Sequence, residues 1–362
     1  MTNPPSGNAI AIRALPYRLS NVFHMPSDYY LAMILVVGEA LIDLIENRNQ
    51  AGTYEAIVGG ANANVAIALA RRGTPHQFLG RLSNDRFGKI IRAKLEANDV
   101  GLSHSISATE LSTLVVVAID ADGVPSYSFY VNGTADWNWS PQELPSDVEL
   151  ENMHTTAIQF GCLGMAMEPG NLVIEGWARD HFKQNSVSIS HDINMRPALG
   201  FNREKERLRV ERINDISHLI KASDEDIQWL YDLDETTDDY QSQIDHVVKS
   251  WIGDSGRHVF VTRGSAGVTL YRANGTRIDV PSRKISVVDT VGAGDTFCAN
   301  LLGQLSDVGA LGSDPFDRLN NLSDETWREY IYTAGIAASI ACERAGAEPP
   351  TLADLNAVLA TL

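Results

Sequence analysis

The chain has 362 residues, 44% of them hydrophobic and 21% charged, which suits a globular protein of one large domain or one plus an appendage. A net charge of −17 argues against nucleic acid or an anionic membrane as partner, yet leaves room for a nucleotide held by local N–H groups and a metal. Cys162, Cys298 and Cys342 lie far apart with no CxxC pair, which excludes a disulfide framework or zinc site and predicts reduced thiols in a cytoplasmic protein.

No apolar run approaches the ~18 residues of a membrane span. Residues 1–32 carry Pro4, Pro5, Pro16 and Pro26 and no sustained periodicity, so they read as a dispensable extension, with Met33 a candidate start. A transit or docking segment using Arg13 and Arg18 is the alternative. Met33-Ile-Leu-Val-Val37 is continuously apolar, as expected of a strand buried on both faces of a parallel sheet. Asp43 follows shortly after it, where open α/β sheets bind ligands. Gly59-Gly60 then allows close backbone approach, and an Ala-rich helix over 61–72 stops at Gly73. Asn64, in its first turn, offers both a donor and an acceptor.

Residues 78–82 read as a short strand with a loop, and 87–98 as an amphipathic helix. A β-branched run at 114–119 and an alternating one at 126–131 flank the hairpin signal Asp122-Gly123. This stretch predicts a small projecting sheet, a natural lid to exclude water from a reacting group. From about Trp137 the β/α alternation resumes, with strands at 156–160, 187–190, 218–222 and 258–262. Ser223 is a good N-cap for a helix through Leu230, and Asp224, Glu225 and Asp226 suit its first turn. Gly264 and Gly267 lie in the turn after the strand at 258–262, and two further strands flank Asn274-Gly275. Helices at 329–342 and 352–362 enclose the loop Arg344-Ala-Gly346-Ala-Glu348. The expected division is an extension at 1–32, an α/β core of 33–42, 59–108 and 137–362, and a lid of 43–58 and 109–136.

The stretch that organises the rest is Val288-Asp289-Thr290-Val291-Gly292-Ala293-Gly294-Asp295-Thr296-Phe297. A β-rich run at 285–288 precedes it and a helical pattern at 296–305 follows. A small-residue turn at a helix N-terminus aims free N–H groups and the positive dipole end at one spot, which suits phosphate. Asp295 adds a second negative charge there. An acid beside an anion cradle makes sense if it takes a proton from the nucleophile that attacks phosphorus.

Other chemistries lack their motifs. The turn at 292–296 has no Gly-Lys-Ser/Thr ending, and no GxGxxG follows the first strand. The histidines show no HxxxH or HExxH spacing. The acceptor patterns at Asn132, Asn138, Asn274 and Asn321 read as accidental, and Trp137 and Trp139 as packing anchors.

Taken together, the sequence resembles the ribokinase-like (PfkB) carbohydrate kinases from Met33 to Leu362. The signature Asp289-Thr-Val-Gly-Ala-Gly-Asp295-Thr-Phe297 is highly specific, and Gly59-Gly60 with Asn64, Ala66 and Gly73 matches the N-terminal one imperfectly, with Asn62 and Ser83 as departures. The resemblance implies a three-layer α/β/α sandwich with a mostly parallel central sheet and a β lid. It implies Asp295 as catalytic base and Gly292, Ala293 and Gly294 as an anion hole. Asp43, Gly59, Gly60, Asn64, Tyr130 and Arg196 would bind the sugar. Ser223, Asp226, Thr262, Gly264 and Gly267, with Gly292 and Gly294, would bind ATP. Ser223 to Asp226 replaces the family's Asn-x-x-Glu, so Asp226 would order Mg²⁺ through water with a shorter reach. Asp289 and the carbonyls of Val291, Arg344 and Gly346 match a loop for K⁺ or another monovalent cation. Gly38-Glu-Ala-Leu-Ile-Asp43, Phe129-Tyr130 with Gly133-Thr-Ala-Asp136, and Asp192-x-Asn194-x-Arg196-Pro197 look most like bacterial fructokinases. 2-Keto-3-deoxygluconate kinase and ribokinase are alternatives, and a non-catalytic sugar- or nucleotide-binding regulator is a third. Pairing of lids into a homodimer is a further implication.

Overall fold

The computed structural model describes residues 32–47, 50, 52–119 and 125–362. The expectations for residues 1–31 and for the Asp122-Gly123 turn lie outside them. In chain order the strands are β1 (Met33–Val37), β2 (Leu41–Glu46), β3 (Tyr54–Gly59), β4 (His76–Leu79), β5 (Arg81–Ser83), β6 (Ile106–Ala108) and β7 (Leu114–Ile119). They continue as β8 (Pro125–Tyr130), β9 (Thr155–Gly161), β10 (Ser188–Asp192), β11 (Leu219–Ser223), β12 (His258–Thr262), β13 (Val268–Tyr271) and β14 (Arg277–Val280).

The main sheet has eight strands in the order β14-β13-β12-β11-β10-β9-β1-β4. From β12 to β4 every pairing is parallel; β13 and β14 add on antiparallel. The apolar run of β1 explains its central place. Ile34 and Val36 enter one core with Phe78 and Ala157, while Leu35 and Val37 enter another with Leu79, Ile158 and Phe160. Helices Ala61–Arg72, Ala293–Asp307 and Asp324–Cys342 cover the first face. Gly170–Gln184, Arg203–Asn214, Asp224–Tyr231 and Tyr240–Ile252 cover the second. The result is a three-layer α/β/α sandwich. From β1 the sheet grows one way to β4 and the other way to β9, so the winding reverses between β1 and β9. The crevice at the carboxyl ends of those strands is where such sheets bind ligands.

A separate four-stranded sheet has the order β3-β2-β7-β8. The chain leaves β1 through Gly38-Glu39-Ala40 to enter it, and comes back at Gly59-Gly60 to start the helix Ala61–Arg72. The strands β2 and β3 carry no clear alternation in sequence, and β3 is mostly exposed; their pairing overlaps the stretch 43–58 expected in the lid and gives its register.

Several boundaries differ from the sequence reading. Residues 285–288 join no ladder; Val287 and Val288 are exposed, and the Val288 N–H donates to the Cys342 carbonyl at 2.8 Å. Their β-branched composition is realised as extended chain because the bond goes to a helix end and not to a strand. The helix after them starts at Ala293, and the one ending at Cys342 starts at Asp324, where Ser323 caps it. The helices Gly170–Gln184, Arg203–Asn214 and Tyr240–Ile252 were not legible as such; Arg203–Asn214 in particular is charged at most of its positions.

Candidate active site

The helix Ala293–Asp307 begins at Gly292, which sits at φ 75°, ψ 3°. A Cβ there would stand 2.7 Å from the Ala347 Cβ, so the left-handed turn and the close approach both call for glycine. The Ala293 N–H reaches the Thr290 carbonyl at 3.3 Å, but the N–H groups of Gly292, Gly294 and Asp295 find no acceptor among the described residues. Open amides on one helical turn, with the dipole behind them, suit an anion.

Asp295 is buried on that same turn. Its Oδ2 accepts from Asn64 Nδ2 at 2.8 Å and its Oδ1 from Asn194 Nδ2 at 3.4 Å. Asn64 comes from the first turn of the helix Ala61–Arg72, and Asn194 lies just past β10 at φ 42°, a conformation asparagine tolerates. Burial raises the Asp295 carboxyl to about 7, helped by the nearby Asp192 and opposed by Asn64, Lys221 and Arg196. A carboxylate tuned to neutral pH is suited to general-base work.

From Asp295 a set of contacts leads to the residues expected on the nucleotide side. Beside Asn194, the Met195 N–H donates to Asp226 Oδ1 at 2.7 Å, and the Ser223 N–H to Asp226 Oδ2 at 2.7 Å. Ser223 Oγ in turn accepts from the Asp226 N–H, which completes a capping box. Ser223 pairs with Thr262 across β11 and β12. Gly264 and Gly267 follow at φ 48° and 94°; a Cβ on Gly267 would stand 2.1 Å from the Val280 carbonyl oxygen.

On the other side, Asp43 lies on β2 opposite Ile57, and a Cβ on Gly59 would stand 2.3 Å from its Oδ2. Burial lifts the Asp43 carboxyl to about 6, and the Arg196 charge works against that. Gly60, at φ 108°, packs against the Glu39 carbonyl. Arg196 donates to the side-chain and main-chain oxygens of Asn194 at 2.6 and 3.2 Å and to the Met195 carbonyl at 2.9 Å. Its charge acts on both Asp43 and Asp295, and its Nη1 is engaged by Asn194 and Met195. Tyr130 ends β8 with 60% of its surface exposed and takes no part in these contacts.

Two buried acids that the sequence reading quoted within motifs but gave no role hold the crevice in shape. Glu39 Oε1 accepts from the Ala61 N–H at 2.9 Å, and its Oε2 accepts from Asn62 Nδ2 at 2.8 Å and the Gly164 N–H at 3.0 Å. Asn62, a departure from the family pattern, also reaches the Gly161 carbonyl at 3.2 Å, bridging β9 to the helix start. Asp136 accepts from the Ala40 N–H at 3.0 Å and from Thr113 Oγ1 at 2.6 Å, and burial raises it to about 7. An acid directly after an apolar strand was the available signal for Glu39.

Asp289 Oδ1 accepts from the Val291 N–H at 3.0 Å, and Oδ2 from the Gly346 N–H at 2.9 Å. It thus ties the turn at 289–291 to the loop at 344–348. The carbonyls of Val291 and Arg344 accept nothing among the described residues, whereas that of Gly346 accepts from the Glu348 N–H at 2.9 Å. Free carbonyls beside a carboxylate fit a monovalent cation. For Mg²⁺ the fit is different. No group of three His, Cys, Asp or Glu side chains among the described residues could hold a metal, and both Asp226 oxygens already accept main-chain N–H groups. That donor set fits an ion carried mainly by substrate phosphates and water. No helix among the described residues is long and apolar enough to cross a membrane.

The pfkB family carbohydrate kinase profile matches residues 31–353. A fructokinase of Rhizobium leguminosarum bv. trifolii is 31% identical over 278 residues, 75% of this chain and 79% of that protein. Among solved structures, a fructokinase from Xylella fastidiosa with bound ATP has a TM-score of 0.78 at 24% identity, covering 91% of this chain and 98% of that one. A fructokinase from Vibrio cholerae O395 in fructose, ADP and calcium ion bound form has a TM-score of 0.72 at 23% identity, with the same coverage. These likenesses establish the ribokinase-like fold. The chain belongs to the pfkB family of carbohydrate kinases, enzymes that transfer phosphate to sugars.

Proposed function

We propose that this chain transfers the γ-phosphate of ATP to the terminal hydroxyl of fructose, giving fructose 6-phosphate. The observation that carries the reading is the placement of Asp295: buried, held from two sides by Asn64 and Asn194, and on the same turn as open amides. In this mechanism Asp295 accepts the hydroxyl proton while the sugar oxygen attacks phosphorus in line and ADP departs. The N–H groups of Gly292, Gly294 and Asp295, with Ala293 beside them, take up charge that builds on the phosphoryl oxygens. Ser223, Asp226, Thr262, Gly264 and Gly267 position the nucleotide. Mg²⁺ on the nucleotide would supply further charge neutralisation, with Asp226 touching it through water. Asp289, Val291, Arg344 and Gly346 would hold K⁺ behind the anion hole.

Asp43, Gly59, Gly60, Asn64 and Arg196 line the acceptor side, and Tyr130 would reach it from the small sheet acting as a lid. Fructose is favoured over a sugar acid because Arg196, the cation nearest the acceptor, is engaged by Asn194 and Met195 and surrounded by acids. A substrate carboxylate would meet Asp43 and Asp295, which already share the Arg196 charge. The fructokinases among the relatives point the same way. ADP release measured with ATP against fructose, ribose, 2-keto-3-deoxygluconate and nucleosides tests this. Fructose is expected to give the highest kcat/KM. A sugar acid ahead of fructose overturns the substrate, and no sugar-dependent ADP release overturns the reaction in favour of a binding regulator.

A further inference from the structure

The surroundings of Asp295 include a buried cation that the reaction above does not use. Lys221 lies within β11, between β10 and β12. Lysine is almost never buried in a central strand unless paired, and Lys221 Nζ donates to both oxygens of Asp192, at 3.0 and 3.1 Å. Such a pair is weak grounds for stability, since apolar replacements of similar volume are often neutral or better. Its position suggests another reason for it. A Cβ on Gly294 would stand 2.7 Å from Lys221 Nζ, so the ammonium lies directly against the turn that carries the open amides. Asp192 is meanwhile in contact with the next turn of the same helix, its Oδ2 lying 3.6 Å from Cys298 Sγ. Burial opposes the Lys221 charge, but Asp192, with Cys298 and Asp226 beside it, more than offsets this and the group stays protonated.

Resting on the phosphoryl-transfer reading, we propose that Lys221 is a catalytic cation, and that Asp192 is the positioning residue that holds it at Gly294. The ammonium has three N–H donors, and Asp192 is its sole hydrogen-bond partner among the described residues. A donor remains for an oxygen of the phosphoryl group seated at the Gly294 amide. In the step, a bond forms from the sugar oxygen to phosphorus as the bond from phosphorus to the ADP oxygen breaks. The hydroxyl proton goes to Asp295, ADP leaves with the electron pair, and Lys221 keeps its proton throughout. Gly294 has no side chain to displace the ammonium.

The test compares Lys221→Met, Asp192→Asn and the double variant in the full chain, by ADP release with ATP and fructose and by thermal unfolding. Lys221→Met alone leaves Asp192 buried and unpaired, so it loses stability as well as turnover. The double variant carries no uncompensated charge and is expected to unfold near the wild-type temperature. Its kcat should stay down roughly 10²–10³-fold, the usual cost of losing one such donor, with the fructose KM changed little. Asp192→Asn, which keeps the cation, should lose far less turnover than Lys221→Met. A double variant that recovers both stability and kcat overturns the proposal, as does Asp192→Asn matching the loss of Lys221→Met; the pair is then only structural. A wild type with no sugar-dependent ADP release overturns the phosphoryl-transfer reading itself and this proposal with it.

Discussion

At Asp295, burial and the neighbouring Asp192 hold a carboxyl near neutrality, while Asn64, Lys221 and Arg196 keep it from rising further. Activity that depends on the ionised form should fall as pH drops below about 7. Asp295→Asn should cut kcat by roughly 10²–10⁴-fold or more while leaving ATP affinity largely intact. Wild-type turnover in that variant would end the assignment. The same shift has a sign for stability. Between the ordinary carboxyl value of 3.8 and about 7 the folded state binds the proton and the unfolded chain does not, so this group's contribution declines as pH rises through that window. Asp295→Asn is therefore expected to melt higher than wild type at pH 8, with the gain shrinking by pH 5. Parallel melting curves at the two pH values check this; an equal offset at both contradicts it.

Among the elements, the passage from β1 to the helix Ala61–Arg72 bears the most strain on its polar groups. Glu39 alone satisfies the Ala61 N–H and the Gly164 N–H, and it shares the Asn62 amide with the Gly161 carbonyl. Glu39→Ala strands these donors in a buried site, at about 1–3 kcal/mol each. A total loss of roughly 3 kcal/mol or more in denaturant unfolding is expected, with Glu39→Gln, which keeps one acceptor oxygen, losing less. Equal losses for both variants would mean that packing and not hydrogen bonding dominates. The element pattern was largely readable beforehand: β1 from its apolar run, the helix Ala61–Arg72 from its alanines and Gly73, β13 and β14 from Asn274-Gly275. The misreadings share a cause. Residues 285–288 have strand propensity but no strand partner, and Arg203–Asn214 shows too few apolar positions to register as a helix.

On the scale of the whole molecule, two sheets meet at the crevice, and the small one contributes Asp43 and Gly59. If it closes over a bound sugar as proposed, fructose with a non-hydrolysable ATP analogue should slow amide exchange in β2 and β7 relative to the free protein. Unchanged exchange there would remove the lid from the mechanism. The strongly negative net charge makes the local cations count for more, since Arg196 and Lys221 offer positive charge at a site that must accept a polyphosphate.

The order of residues alone determined the class of chemistry. A glycine turn with an acid at a helix start suits phosphate beside a base, because the geometry is local. It also determined the β/α alternation, through runs whose periodicity is a property of neighbours along the chain, while the layered arrangement followed from the family resemblance. Tertiary structure decided which distant groups surround Asp295. Asn64, Asp192, Asn194 and Lys221 come from separate elements and converge only because β10 and β11 end beside the helices Ala61–Arg72 and Ala293–Asp307. A carboxyl acquires its proton affinity from burial and from charges across the fold, and neither quantity is written in the spacing of a motif.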